Sequence, residues 1–278
     1  MISKELFQKL ENIRTSINLE EEIDHDPIFF PRLFMQKKAS KEEIEAIALF
    51  SASLSYGKVD LFMRVIQNIL EQCDYKFLKL ITREIEINKW PAYRLSTSDE
   101  IRTFAYSIGN IIKNDIGINK SFIKGFSRNK SVQEGFISLR NALISGISEN
   151  KITRGLSHLM PDPEKGGAQK RWSMFLRWLA RPNDGLDLGL WNVPEPAYLV
   201  IPVDRHIGKI CRSLGLTKRT SDDWKTALEI TESLKSISPD DPLKYDFSLC
   251  HLGISKKCDH GKSSDKCISC ELKNFCIL

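Results

Sequence analysis

Apolar side chains recur every three or four residues along most of the chain, the spacing of one face of an α-helix. Ile44, Ile47, Ala48 and Leu49 follow Ser40-Lys41-Glu42-Glu43, where a hydroxyl residue precedes a glutamate by three positions and predicts a capping box. Thr97-Ser98-Asp99-Glu100 stands in the same relation to Ile101, Phe104 and Ile108, and Ser131-Val132-Gln133-Glu134 to Phe136, Leu139, Leu143 and Ile144. The stretches Val59–Cys73 and Ser221–Lys235 carry the same period. No run alternates with period two, so the predicted fold class is all-α, with roughly ten helices and no substantial sheet. Turn residues punctuate the pattern at Tyr56-Gly57, at Pro161, Pro163, Gly166 and Gly167, and between Pro182 and Pro196.

The chain of 278 residues is long enough for two lobes, expected as a central lobe over 40–181 and a second lobe built from 1–39 and 182–278. With 41% apolar and 28% charged residues it has an ordinary globular composition. No apolar run reaches membrane-spanning length and the N-terminal residues carry charges throughout, so a cytoplasmic monomer away from the membrane is expected. Charge is uneven: residues 1–100 sum to −3 and residues 101–278 to +8. A basic C-terminal part suits a polyanionic partner such as nucleic acid, and equally a solvated basic surface.

Seven cysteines in such a chain do not suggest a disulfide framework. Cys73, Cys211 and Cys250 sit in apolar helical patterns and read as buried, inert thiols. The other four, Cys258, Cys267, Cys270 and Cys276, crowd the last stretch of the chain as C-x8-C-x2-C-x5-C. Soft thiolates at this density read as a metal site. A [4Fe–4S] cluster wrapped by one loop suits the uneven flanks, with tetrahedral zinc as the alternative.

Two upstream segments hold further candidate chemistry. Ile207, Ile210, Cys211 and Leu214 predict a helix whose N-cap is Asp204. A carboxylate there serves as a cap, and the helix N-terminus also keeps it ionised, fit to stabilise a cationic transition state. Gly166-Gly167-Ala168-Gln169-Lys170-Arg171 leads into a helix with Trp172, Phe175, Leu176 and Leu179 on one face and Lys170, Met174, Arg177 and Arg181 on another. The glycine turn offers backbone N–H groups to a phosphate, and the second face reads as a cationic stripe along a nucleic-acid backbone or as a solvated surface.

Val203-Asp204-Arg205-His206, the Gly-rich turn before Lys170 and the terminal cysteine loop together resemble the helix–hairpin–helix DNA glycosylase superfamily, of the iron–sulfur endonuclease III type. The resemblance implies an all-α, two-lobed fold with a cleft between lobes, and excision of a damaged base, oxidised bases among them. It implies Lys170 as amine nucleophile with AP-lyase activity, Asp204 as catalytic carboxylate, and the four cysteines as ligands of a [4Fe–4S] cluster. Gly166, Gly167, Arg171, Arg177, Arg205, Lys257 and Lys262 would meet DNA, and Ser51-Ala52-Ser53 would insert near the flipped base. A DNA-binding protein that keeps the fold without the chemistry is the alternative. Ala168 stands where the second hairpin glycine is expected, and 34 positions separate Lys170 from Asp204, a longer gap than in endonuclease III, which leaves Lys165 as a second candidate nucleophile. Over nearly its whole length the chain also resembles an uncharacterised bacterial family, through Asp26-Pro27-Ile28-Phe29-Phe30-Pro31, Met174-Phe175-Leu176-Arg177-Trp178, Asp187-Leu188-Gly189-Leu190-Trp191 and Tyr245-Asp246-Phe247.

Overall fold

A computed structural model of the chain describes residues 4–254, 258, 265–268 and 270–277. The three-to-four periodicity is realised as helices, and among the described residues the only strand-like pairings are two isolated bridges, Tyr93 with Ser96 and Gly167 with Asp223. The fold is all-α. No described helix is long and apolar enough to cross a membrane. The chain divides into two compact units. A middle unit comprises Glu20–Lys165 and Trp178–Pro194, and a terminal unit comprises Met1–Leu19, Gly166–Arg177 and Glu195–Leu278.

The middle unit is organised on the helix Lys41–Leu54. Every residue from Ile44 to Leu54 is buried, as expected of a helix that is apolar nearly all round. Phe50 meets Phe77 and Phe104 at ring separations of 5.0 and 5.9 Å. The polar exceptions need internal partners. Glu45, 5% exposed, accepts the indole N–H of Trp191 at 2.8 Å. Ser51-Ala52-Ser53 lies wholly inside this core, so it is not a segment that reaches a base.

Only one of the three predicted capping boxes closes both ways. Thr97 Oγ1 accepts from Glu100 N, and the Glu100 carboxylate accepts from Thr97 N at 2.7 Å. Ser40 accepts from Glu43 N, but the Glu43 carboxylate is taken by Leu78 N at 2.9 Å, where it satisfies an amide in the first turn of the helix Phe77–Ile81. Ser131 caps the helix Val132–Ile144 through Glu134 N in the same one-way fashion.

The terminal unit holds the helices Lys4–Ser16, Arg205–Ser213, Trp224–Lys235 and Asp246–Ile254 and the first two turns of Lys170–Ala180. Lys4–Ser16 and Arg205–Ser213 both pack on Asp246–Ile254. Glu11 receives Arg14, Lys244 and the Tyr245 hydroxyl. Burial works against its charge, but these donors outweigh it and hold the carboxyl down at about 2. The predicted Ser221 start shifts to Trp224, because the Asp223 side chain caps that helix by accepting Thr226 N at 2.8 Å.

Candidate active site

The helix Lys170–Ala180 begins after a turn in which Gly166 and Gln169 hold positive φ angles of 73° and 53°. The Gly166 carbonyl accepts Trp224 N at 3.0 Å, and Gly167 bridges Asp223, so the turn is fastened to the start of the helix Trp224–Lys235. Gly166 and Gly167 are both exposed, and a methyl group built on either would meet nothing within 4 Å.

Asp204 caps the helix Arg205–Ser213 as the spacing predicts. Its Oδ1 accepts His206 N at 2.8 Å and Ile207 N at 3.0 Å. Its Oδ2 accepts Lys170 Nζ at 2.7 Å, in an ion pair whose side chains are 31% (Lys170) and 21% (Asp204) exposed. Lys170 and Asp204, singled out from separate segments, are thus brought together, with one Asp204 oxygen in the cap and the other in the ion pair. Arg205 is exposed and forms no ion pair with a described residue, while Arg171 is half-buried. Lys165 is exposed in the turn Pro163–Lys165 of the middle unit.

Burial opposes the charge on Lys170, but the Asp204 carboxylate, the Cys250 sulfur and Asp246 outweigh it and raise its pKa above the ordinary lysine value. Burial likewise pushes Asp204 up, and the Lys170 charge, its hydrogen bond and the two backbone amides bring the carboxyl below its ordinary value. Lys170 in the free protein is therefore an ammonium, not the deprotonated amine that the nucleophile reading expects.

Arg177 is 4% exposed and donates to Asp246, which is 3% exposed. Arg181 is 5% exposed and is held by Asp187 and Asp184 in the middle unit. The cationic stripe is consequently not a solvated face, and Arg177 is spent on a buried carboxylate instead of being offered to DNA. At Asp246 burial prevails over Arg177 and Lys170, and its pKa lies above the ordinary value. Asp246 was not legible as a site residue; its one signal is the Tyr245-Asp246-Phe247 motif. Cys73 and Cys211 are buried, as expected, whereas Cys250 is half-buried and close enough to act on the Lys170 charge.

Of the loop cations, Lys257 and Lys262 lie outside the described residues. Cys258, Cys267, Cys270 and Cys276 are all half-buried. Burial, then the fields of Cys270, Cys258 and Cys267, push the Cys276 thiol up. Among the described residues no three His, Cys, Asp or Glu side chains stand in a metal-holding arrangement. The donor set itself, four soft thiols, fits iron–sulfur or zinc chemistry. Ile277 N donates to Ser213 O at 2.8 Å, which ties the segment after Cys276 to the end of the Asp204-capped helix.

A family model described as "Protein of unknown function (DUF2400)" matches residues 26–255, a span that includes Lys170 and Asp204 and ends before Cys258. No curated protein and no solved structure matches the chain.

Proposed function

From the premise that the chain belongs to the DUF2400 family, we propose that it excises damaged bases from DNA as a glycosylase with the two-lobed helix–hairpin–helix fold. The observation that carries this reading is the Lys170–Asp204 pair, an amine and a carboxylate 2.7 Å apart, beside an exposed glycine turn at a helix N-terminus. A damaged nucleotide has to leave the stack for its sugar carbon to be reached. As the glycosidic bond breaks, positive charge develops on the sugar, and the fixed Asp204 carboxylate stabilises it. Lys170 must first give up a proton to solvent, so that Asp204 keeps its charge. The free amine then forms a bond to the anomeric carbon while the base departs with the bonding electron pair; the attached nitrogen loses a proton, the bond from that carbon to the ring oxygen breaks and the oxygen takes up a proton, giving a Schiff base from which β-elimination can cleave the strand. Gly166, Gly167, Arg171 and Arg205 would hold phosphates near the reacting sugar. Cys258, Cys267, Cys270 and Cys276 would hold a [4Fe–4S] cluster, with zinc as the alternative, and its contribution would be to organise the end of the chain.

One observation favours a second reading, a DNA-binding protein without the chemistry: the raised Lys170 pKa suits a phosphate contact better than a nucleophile. Borohydride reduction in the presence of duplexes bearing different damaged bases separates the two. A covalent adduct lost in Lys170→Ala supports the enzyme. Binding to every duplex with no adduct and no base release supports the binder.

A further inference from the structure

In the middle unit the helices Ile118–Phe126 and Val132–Ile144 run against each other at unusually close range. Glycine makes this possible. A Cβ on Gly125 would meet the Glu134 carbonyl oxygen at 2.0 Å, and one on Gly135 would meet the Phe122 ring at 2.4 Å. Tight backbone packing fixes the two helices as walls of a cavity of about 510 Å³.

One wall carries Lys120, Lys124 and Arg128, four residues apart, all exposed. Lys120 and Lys124 are one helical turn apart, a rise of about 6 Å, and Arg128 follows just past the helix end. Lys120 leans on Asp115 at 3.2 Å, a fully solvated pair of little strength. Lys124 and Arg128 make no ion pair with a described residue. The facing wall offers the Ser138 hydroxyl and the Asn141 amide, neither engaged by a described side chain, and Glu134 as its one carboxylate. Two uncommitted cations at helical spacing, opposite two uncommitted hydrogen-bonding groups on a rigid wall, make a receptor for phosphate oxygens.

We propose that this groove is a backbone site for a polynucleotide, in which Lys124 and Arg128 each neutralise one phosphate and Ser138 and Asn141 donate to the same oxygens. It takes from the proposed function only the class of partner, and it owes nothing to Lys170 or Asp204.

The test is titration of a short duplex with the full chain across a series of salt concentrations, followed by fluorescence anisotropy. Each phosphate contact contributes about 0.9 to the slope of log K against log salt, so Lys124→Ala with Arg128→Ala should lower that slope by about 1.8. Lys38→Ala with Lys58→Ala, which removes two other exposed charges from the same unit, should leave it unchanged. A slope unaltered in the groove variant, or lowered equally in the control, overturns the proposal. So does displacement of the duplex from the wild-type protein by millimolar nucleoside monophosphate, which would mark a small-ligand pocket. Base release from damaged duplexes is read on the same samples. Excision with an unaltered slope sinks the groove alone, and a lowered slope without excision sinks the glycosylase reading alone.

Discussion

Asp204 divides its two oxygens between structure and charge: Oδ1 closes the first turn of its own helix, and Oδ2 holds Lys170 at 2.7 Å. Substitution can separate these tasks. Asn caps helices about as well as Asp, so Asp204→Asn should keep the two backbone bonds and change stability by no more than about 1 kcal/mol. It removes the charge that would stabilise a sugar cation, and base release should fall on the order of 100-fold. Thermal melts and single-turnover excision, run together, check both. An Asp204→Asn protein that unfolds but retains its activity per folded molecule would reduce Asp204 to a cap.

Lys170 should be separable in another way. Lys170→Ala should abolish borohydride trapping and strand cleavage, since the imine needs its amine, while water attack sustains some base release. The raised Lys170 pKa works against the free amine at neutral pH. Trapping should therefore strengthen as pH rises from 6 to 9, in proportion to the deprotonated fraction. Adduct yield from Lys170→Ala equal to that of the wild type would transfer the role elsewhere, with Lys165 the first residue to test.

The pair Arg177–Asp246 makes a stability prediction. Breaking a buried ion pair by removing one partner leaves an uncompensated charge, typically at about 3–5 kcal/mol. Arg177→Met should show a loss of that order in urea unfolding, and adding Asp246→Leu should recover most of it. Asp246 already has a raised pKa, so in the single variant it will protonate readily. The loss should accordingly be smaller at pH 5 than at pH 8. A loss independent of pH, or one not relieved in the double variant, would mean that packing rather than charge holds Arg177.

The contrast between Asp204 and Arg177 shows what the sequence could and could not convey. A cap is a local event: an Asp three residues before a period of i, i+3, i+4 and i+7 is readable because its partners, His206 and Ile207, are its own neighbours. Helices were legible for the same reason, and so was the first apolar face of Lys170–Ala180, since Trp172, Phe175, Leu176 and Leu179 are all buried. Arg177 falls on that helix where a solvated cation would, and nothing within one turn of it betrays Asp246, which lies 69 positions away. Periodicity says which residues share a face; it does not say what another segment brings to that face. The one-way cap at Ser40 failed to be legible in the same manner, because Glu43 is claimed by Leu78, 35 positions on.

Glu45 gives a pH prediction in the middle unit. Burial raises its pKa in the folded protein, against the Trp191 hydrogen bond that lowers it. A carboxyl whose folded pKa lies above its unfolded value of about 4.3 contributes stability below that value and loses it as pH rises through the folded pKa. Glu45→Gln keeps an oxygen for the Trp191 indole and cannot ionise. Its stability relative to the wild type should therefore improve as pH rises above about 4.3 and level off once the folded carboxyl has ionised. Denaturant midpoints measured at several pH values would sink the idea if the difference between the two proteins were flat.

The four terminal cysteines carry the last prediction. Burial, and after it the fields of Cys270, Cys258 and Cys267, raise the pKa of Cys276, which is the wrong direction for a thiolate ligand. A cation among them reverses that cost, because metal binding stabilises the deprotonated sulfurs and couples ligation to folding. Protein purified without oxygen should therefore be brown and contain about four irons and four sulfides per chain, as a [4Fe–4S] centre requires. Cys267→Ser should lose both colour and iron. It should also destabilise the terminal unit, where Ile277 N and Ser213 O link the segment after Cys276 to the helix that Asp204 caps. Hydrogen exchange read at Ile277 and along Arg205–Ser213 reports that loss without reference to any activity. Stoichiometric zinc with no iron or sulfide would exclude the cluster and leave a structural zinc site. Protein free of both metals, with Cys267→Ser as protected as the wild type, would show that the cysteines hold no metal at all.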